Sequence, residues 1–495
     1  MGSSKTQATE SASSGEAEQE IREIVGDLLC NVFDKVGDRN PTNMWKEHVL
    51  IRSKLDRVTA IQELLGDTDR KISLKRGEHA LQDFLEWCTR RGVQIDGVAV
   101  AEDPGMAGYK LQTTRPIQKG EQLVVVPRRA ILSLDGARRS AHLKKLFAKD
   151  HMLSKMDNVA LAIALCCLQI QEDNLWMPYL DILPSNFETP LYYSTDQMQE
   201  LRPSPAYEDV LNHYRSVARQ FCYYFSVIDE NNRFDALKKE ERVGRETPPL
   251  YGTPFSVANF TFSLYKWAVC CVTTRINQIP SEKDRDGNAL KQIPCLIPML
   301  DFANHTFFDR FDMPPGFADS EDCAVLPASC DLAEGEDVNI QYGLRTTGDF
   351  LLHNAFSPDP NPYNKYRLRI GLPKTDKFFA ERVANLKEIG FGGNSAIYVM
   401  DIIDGKSRGL PPFPEPLLHF ARVFVANPPT EQNIASEETH KKAIDFLLGR
   451  FTLLMRSYEQ KEEVKTGNVA ILLNQEKEIL SQAVAHCEQL KRETC

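Results

Sequence analysis

Three polar side chains close the apolar run Leu296-Ile297-Pro298-Met299-Leu300: Asp301, Asn304 and His305. A carboxylate, a carboxamide and an imidazole can between them donate and accept hydrogen bonds. The residues before them are apolar, so they are delivered from something buried, where polar groups must find partners in the protein or in a ligand. Downstream, Asn339-Ile340-Gln341-Tyr342-Gly343 ends a second strand-like run with a tyrosine against a glycine. Asp301 and His305 stand four apart, a spacing that could put two metal ligands on one helix face. No third ligand is near and Leu296-Ile297-Pro298 argues against a helix, so no metal is expected. There is no Gly-x-Ser-x-Gly elbow and no phosphate-binding loop. Gly390-Phe391-Gly392-Gly393 follows a helix instead of joining a strand to one, and reads as a turn. Taken alone, Asn304-His305 reads most often as a loop whose side chains are satisfied within the protein.

The elements that must hold these residues can be read from periodicity. Ser, Thr, Ala, Gly and Glu dominate residues 1–16, a disordered tail. From Ala17 to about Gln62 apolar residues recur at helical spacing, with a turn at Gly37 to Pro41, and a third helix runs over His79 to Arg91. Strand-like sequence follows at Gly108 to Ile117 and Glu121 to Pro127, with Lys119-Gly120 as the turn between. Helices then dominate, at Asn158 to Gln171, Pro205 to Val227 and Ser256 to Thr274. Short strands return at Leu296 to Leu300, Cys323 to Pro327, Val338 to Tyr342 and Tyr366 to Ile370. Such an interrupted set predicts an α+β domain with a helical insertion. From Thr375 the chain is helical again, over Phe378 to Ile389, Pro416 to Val425, Ser436 to Tyr458 and Val469 to Arg492.

Composition sets outer bounds. A chain of 495 residues suggests two or three domains, and 42% hydrophobic with 26% charged residues is ordinary for a soluble globular protein. The net charge of -10 argues against general attraction to nucleic acid. Arg138-Arg139 with Lys144-Lys145 is the best local basic patch, and reads as a solvated face. The 12 cysteines form no CxxC pair, and Cys166-Cys167 and Cys270-Cys271 sit in apolar stretches as small hydrophobes, which points to a reducing compartment. The cytoplasm is expected, with the nucleus as a second compartment although no import cluster is present. Val159 to Leu168 is too short to span a bilayer. Ile21 to Phe33 is broken by Gly26, Asp27 and Asn31 and is no signal peptide, and Met1-Gly2-Ser3-Ser4-Lys5-Thr6 matches only the loose myristoylation pattern, a frequent chance match.

Asn304-His305 gains weight from its company. Ala107-Gly108-Tyr109 opens the β region, Arg275-Ile276-Asn277-Gln278 precedes the apolar approach and Asn339 to Gly343 closes it. This ordered set resembles the SET-domain protein methyltransferases. The helical insertion, Leu183-Pro184-Ser185, Thr189-Pro190-Leu191-Tyr192 and the helical C-terminal part look like the class typified by the Rubisco large-subunit methyltransferase. Within it, Tyr265-Lys266-Trp267-Ala268, Thr274 to Pro280 and Tyr342-Gly343-Leu344-Arg345 resemble the actin-histidine N-methyltransferases. The resemblance covers about residues 70 to 495. It divides the chain into the tail at 1–16, N-terminal helices at 17–92, a SET domain at 93–345 with its insertion at about 132–275, and a helical substrate-binding domain at 346–495.

The resemblance implies S-adenosylmethionine as cofactor, actin as protein partner, no nucleic acid or membrane, and a monomer. Arg275 with Arg76 would hold the cofactor carboxylate. Ala107, Gly108 and Tyr109, then Asp301, Phe302, Ala303, Asn304 and His305, then Asn354, Ala355 and Phe356 would bind the rest of it. Tyr342 is the implied catalytic tyrosine, with Asn277 as the amide that fixes the substrate tautomer; Leu300, Ile340 and Arg345 would contact substrate. Histidine, with a pKa of about 6.5, needs only the right tautomer to attack a methyl, whereas lysine at about 10.4 must first lose a proton. Asn277 and Arg345 match the histidine enzymes and predict a tele-methylhistidine product, with methylation of a protein lysine as the alternative. Two positions depart from that pattern: Leu300 stands where the histidine enzymes have a tryptophan, and Ala107 where they have an acid.

Overall fold

In a computed structural model of the chain the described residues are 3–37, 40–65, 79–103, 108–171, 174–282, 291–308, 313–388, 397–459 and 467–494, with 3–14 described by backbone alone. Arg76, Ala107 and the turn at Gly390 to Gly393 lie outside them. The chain divides into two compact units, one of Met1–Phe187 with Leu211–Gly343, the other of Glu188–Val210 with Leu344–Cys495.

The first unit is built on two helices whose sequences are apolar nearly all round. Asp157–Ile170 buries every residue from Val159 to Cys167, and Phe262–Arg275 packs against it. A helix without a polar face has to be interior. Thr261 caps the second helix by accepting the Leu264 amide, and Arg275 ends it, a cation at the negative pole of the helix dipole. The N-terminal helices are Ser3–Asp27, continued by a π-helical turn at Leu28–Phe33, and Pro41–Leu65. Helix therefore begins ahead of residue 17, through a stretch whose Ala, Glu and Gln are good helix formers.

Short strands fill the space around these helices. Gln94–Ile95, Gln122–Pro127, Cys323–Pro327 and Gly316–Ala318 form one antiparallel sheet in that order. Val98–Asp103 pairs with Gly108–Thr113, and Gln292–Leu296 lies between Leu132–Ser133 and Asn277–Pro280. The strand expected at Leu296 to Leu300 is displaced: it runs over Gln292–Leu296 and stops there. Pro298 has no N–H to give a ladder, so the chain turns, with Met299 at φ 74° and the Asp301 amide donating to the Ile297 carbonyl at 3.0 Å. Leu300–Phe302 is a single 3-10 turn. Val338 to Tyr342 is likewise shorter than expected: the strand is Asn339–Ile340, paired in parallel with Asn304–His305, and Gly343 at φ 126° breaks the run.

The second unit has its own core, in which Leu417, Phe420, Leu447, Phe451, Ile479 and Leu480 are buried together. They come from the helices Glu415–Val425, Glu437–Glu459 and Asn468–Glu493. An antiparallel strand pair, Lys365–Gly371 with Ile397–Ile403, joins them. The expected strand at Tyr366 to Ile370 thus pairs inside this unit.

Candidate functional site

In the first unit, Leu300–Phe302 and the following Asn304–His305 form a bend whose polar groups are held by residues distant in sequence. The Asn304 carboxamide donates to Asp103 Oδ2 at 2.9 Å. Asn304 and His305 pair with Asn339 and Ile340, so the bend lies in register with the segment that carries Tyr342. The Tyr342 amide donates to His305 Nδ1 at 3.1 Å, which makes that nitrogen the acceptor. The Tyr342 hydroxyl donates to the Ala303 carbonyl at 2.9 Å, and its ring lies 5.2 Å from the His305 ring. Burial pushes the Tyr342 phenol up to about 12, with Arg275 opposing and Asp301 adding to the shift. It is a neutral hydroxyl at physiological pH and holds its proton.

Beside it lies an ion pair of unusual geometry. The Asp301 side chain is 1% exposed and Arg275 16%, and Arg275 Nε stands 3.8 Å from Asp301 Oδ2. That separation is Coulombic contact without a hydrogen bond: Arg275 Nε and Asp301 Oδ1 are both buried and neither has a hydrogen-bond partner. Asp301 Oδ2 instead accepts the Tyr179 hydroxyl at 2.5 Å. Burial raises the Asp301 carboxyl to about 6, with Arg275 and the Tyr179 hydrogen bond pulling it back, so it is ionised above neutral pH. Arg275 Nη1 donates to Thr274 Oγ1 at 3.1 Å.

Apolar surface frames these groups. Tyr109 meets Phe302 edge to face at 5.7 Å, and Phe84 meets Phe302 at 5.6 Å and Tyr179 at 6.2 Å. Leu300 is buried, as are Ala303 and Ile340. Gly108 starts its strand opposite Asp103, the acceptor for Asn304. The Asn277 carboxamide donates to the Arg275 carbonyl at 3.1 Å.

Arg345, Asn354, Ala355 and Phe356 belong to the second unit. There Arg345 Nη1 donates to Asn354 Oδ1 at 2.8 Å, Ala355 ends the helix Thr347–Asn354 in the left-handed conformation at φ 69°, and Phe356 packs on Phe350 at 5.2 Å. Two residues of the site, Tyr179 and Asp103, escape the sequence reading. They lie 122 and 201 residues from their partners, and nothing in Met177-Pro178-Tyr179-Leu180 distinguishes a buried structural tyrosine from this one.

The described residues contain no cluster of three or more His, Cys, Asp or Glu that could hold a metal ion, and none of their helices is long and apolar enough to cross a membrane. An anionic group with hydrogen-bond acceptors suits Arg275, and an adenine-like edge suits the donors and acceptors of the Asn304-His305 bend.

No family model matches the chain. The actin-histidine N-methyltransferase of Xenopus tropicalis is 28% identical to it over 520 residues, covering 98% of this chain and 82% of that protein. The protein of the same name from Gallus gallus is 30% identical over 411 residues, covering 83% and 62%, and that from Homo sapiens 28% over 500 residues, covering 94% and 77%. Among solved structures, the SET domain of LSMT bound to lysine and AdoHcy superposes with a TM-score of 0.60 at 19% identity, over 84% of this chain and 92% of that one. Rubisco LSMT bound to AdoMet gives 0.58 at 18% identity, over 84% and 93%. The architecture is the SET-domain fold, α+β with a helical C-terminal region.

Proposed function

We propose that this chain, which belongs to the SET-domain protein methyltransferases, transfers a methyl group from S-adenosylmethionine to a histidine side chain of actin. The observation that carries the reading is the clasp at Tyr342, whose amide is bound to His305 and whose hydroxyl is bound to the Ala303 carbonyl. It closes the bend onto the segment that ends at Gly343.

The donor fits the groups present. Arg275, with Nε unspent, would anchor its carboxylate, with Arg76 as the second cation. Asn304 and the backbone around His305 would bind the adenine edge, with Ala107, Gly108, Tyr109, Phe302 and Ala303 around it, and Asn354, Ala355 and Phe356 in the same binding role. When bound, S-adenosylmethionine supplies a methyl already activated by its sulfonium.

What the chain adds is alignment. Tyr342 stays protonated at Oη and aims that proton at the Ala303 carbonyl, so its ring is a fixed wall and not a base. A nucleophile that meets such a wall does best already carrying its lone pair. A histidine with a pKa of about 6.5 satisfies that at pH 7.5, and lysine at about 10.4 does not. Asn277 would hold the ring nitrogen that is not methylated, which leaves the tele nitrogen to attack. Leu300, Ile340 and Arg345 would contact the surrounding peptide. The described cysteines are free thiols, which suits the cytoplasm.

The test is incubation of the purified chain with labelled S-adenosylmethionine and actin, followed by mass-spectrometric mapping. Methyl-histidine on actin is expected. Label recovered only as methyl-lysine would transfer the reading to the lysine alternative, and no incorporation into any protein would end it.

A further inference from the structure

An arginine and a carboxylate buried side by side ordinarily close into a direct pair, with N···O near about 2.8 Å and often two parallel hydrogen bonds. Arg275 and Asp301 do not. Their nearest atoms stand 3.8 Å apart, although Arg275 Nε and Asp301 Oδ1 each lack a hydrogen-bond partner. Leaving both unspent in a buried place is costly, so something holds them open. The group in position to do so is Tyr179, whose hydroxyl takes Asp301 Oδ2 at 2.5 Å. Tyr179 cannot follow the carboxylate. It is fully buried, its ring lies 6.2 Å from Phe84 and 6.4 Å from Trp176, and Phe84 also packs on Phe302, the residue after Asp301.

We propose that Tyr179 is a positioning residue of the methyl-donor site: by occupying Asp301 Oδ2 it keeps that carboxylate from closing onto Arg275, and so leaves the guanidinium free for the donor's carboxylate. The proposal rests on the reading of Arg275 as the anchor for that carboxylate. Asp301 keeps its charge close enough to offset the buried arginine, yet it spends no arginine donor. Its other neighbours are Cys88, Cys271, Cys295 and Tyr342, all thiols or phenols whose protonated forms burial favours. They do not compete for Arg275 as anions.

Removal of the hydroxyl releases Oδ2, and the carboxylate then becomes an internal competitor. The test is calorimetric titration of the full chain with two probes: S-adenosylhomocysteine, which carries the amino-acid carboxylate, and 5′-methylthioadenosine, which lacks it. Tyr179→Phe should weaken the first about tenfold or more while leaving the second unchanged. Adding Asp301→Asn removes the competing charge and should recover S-adenosylhomocysteine affinity relative to Tyr179→Phe alone. In turnover the loss from Tyr179→Phe should fall on KM for the donor and spare kcat. Equal weakening of both probes, or no rescue in the double variant, would make Tyr179 merely structural and overturn the proposal. A wild-type chain that binds neither probe would instead overturn the donor-site reading, and the proposal with it.

Discussion

Two buried carboxyl groups, one in each compact unit, meet the same problem with opposite solutions. Glu476, 4% exposed, has both oxygens satisfied by hydroxyls: Ser204 donates at 2.9 Å and Tyr458 at 3.0 Å. It forms no ion pair among the described residues, and burial raises it to about 8 against the pull of those two hydroxyls. At neutral pH it is mostly a neutral acid inside a closed network. The Asp301 side chain is buried too, yet it has a cation beside it, one oxygen bonded and the other bare. A structural acid completes its hydrogen bonds and sheds its charge. On the proposed reading of Arg275, the acid at the donor site keeps its charge and leaves capacity open beside the group that would receive the donor's carboxylate.

That contrast can be broken at several points. Tyr342→Phe should reduce methyl transfer by about 100-fold or more, since the ring loses its tie to Ala303 and the reacting groups lose alignment, while thermal unfolding barely changes. Labelled-methyl incorporation beside a melting curve tests both halves. Asp301→Ala should destabilise the chain by about 3 kcal/mol by leaving Arg275 without its counter-charge, measured by denaturant unfolding at pH 7.5. Glu476→Gln separates the two acids by pH. Its carboxyl has a raised folded pKa, so its contribution to stability is fully present below about pH 4.5 and is lost as pH rises through about 8. Wild type should lose up to about 1.4 kcal/mol per pH unit across that window, and the Gln variant should lack that slope. For Asp301 the sign is the same and the window narrower, between the usual 3.8 and about 6, so Asp301→Asn should flatten the acid side alone. A Glu476→Gln curve parallel to wild type from pH 5 to 8 would erase the distinction.

The sequence made the helices legible because a 3.6-residue period survives without tertiary information. The helix Glu415–Val425 lies within a residue of its expected bounds, and the strand Cys323–Pro327 matches its own through the period of two. The bend was legible as chemistry and not as geometry. Asp301, Asn304 and His305 stood out because polar groups after an apolar run need partners, but Pro298 moved the strand ahead of them. Ile397–Ile403 was passed over inside a helical stretch although Tyr398, Met400 and Ile402 alternate inward against Val399 and Asp401, the period of a strand. Tyr179 and Asp103 were beyond reach for a different reason. Each acts through a single contact set by the whole fold, and a lone tyrosine or aspartate carries no spacing signal.

The parallel pairing of Asn304–His305 with Asn339–Ile340 also dictates an order of events. The bend is complete only after chain closures of 201 residues to Asp103, 122 to Tyr179 and 39 to Tyr342. Long closures must be made before their contacts can reward them, and they come late. A nascent chain that has left the ribosome only as far as Pro327 already holds the central helices and the sheet partner of Gln122–Pro127, but it has no clasp. Competence to bind a methyl donor should therefore appear abruptly during synthesis, only after Tyr342 and the proposed donor-binding residues Asn354, Ala355 and Phe356 have emerged.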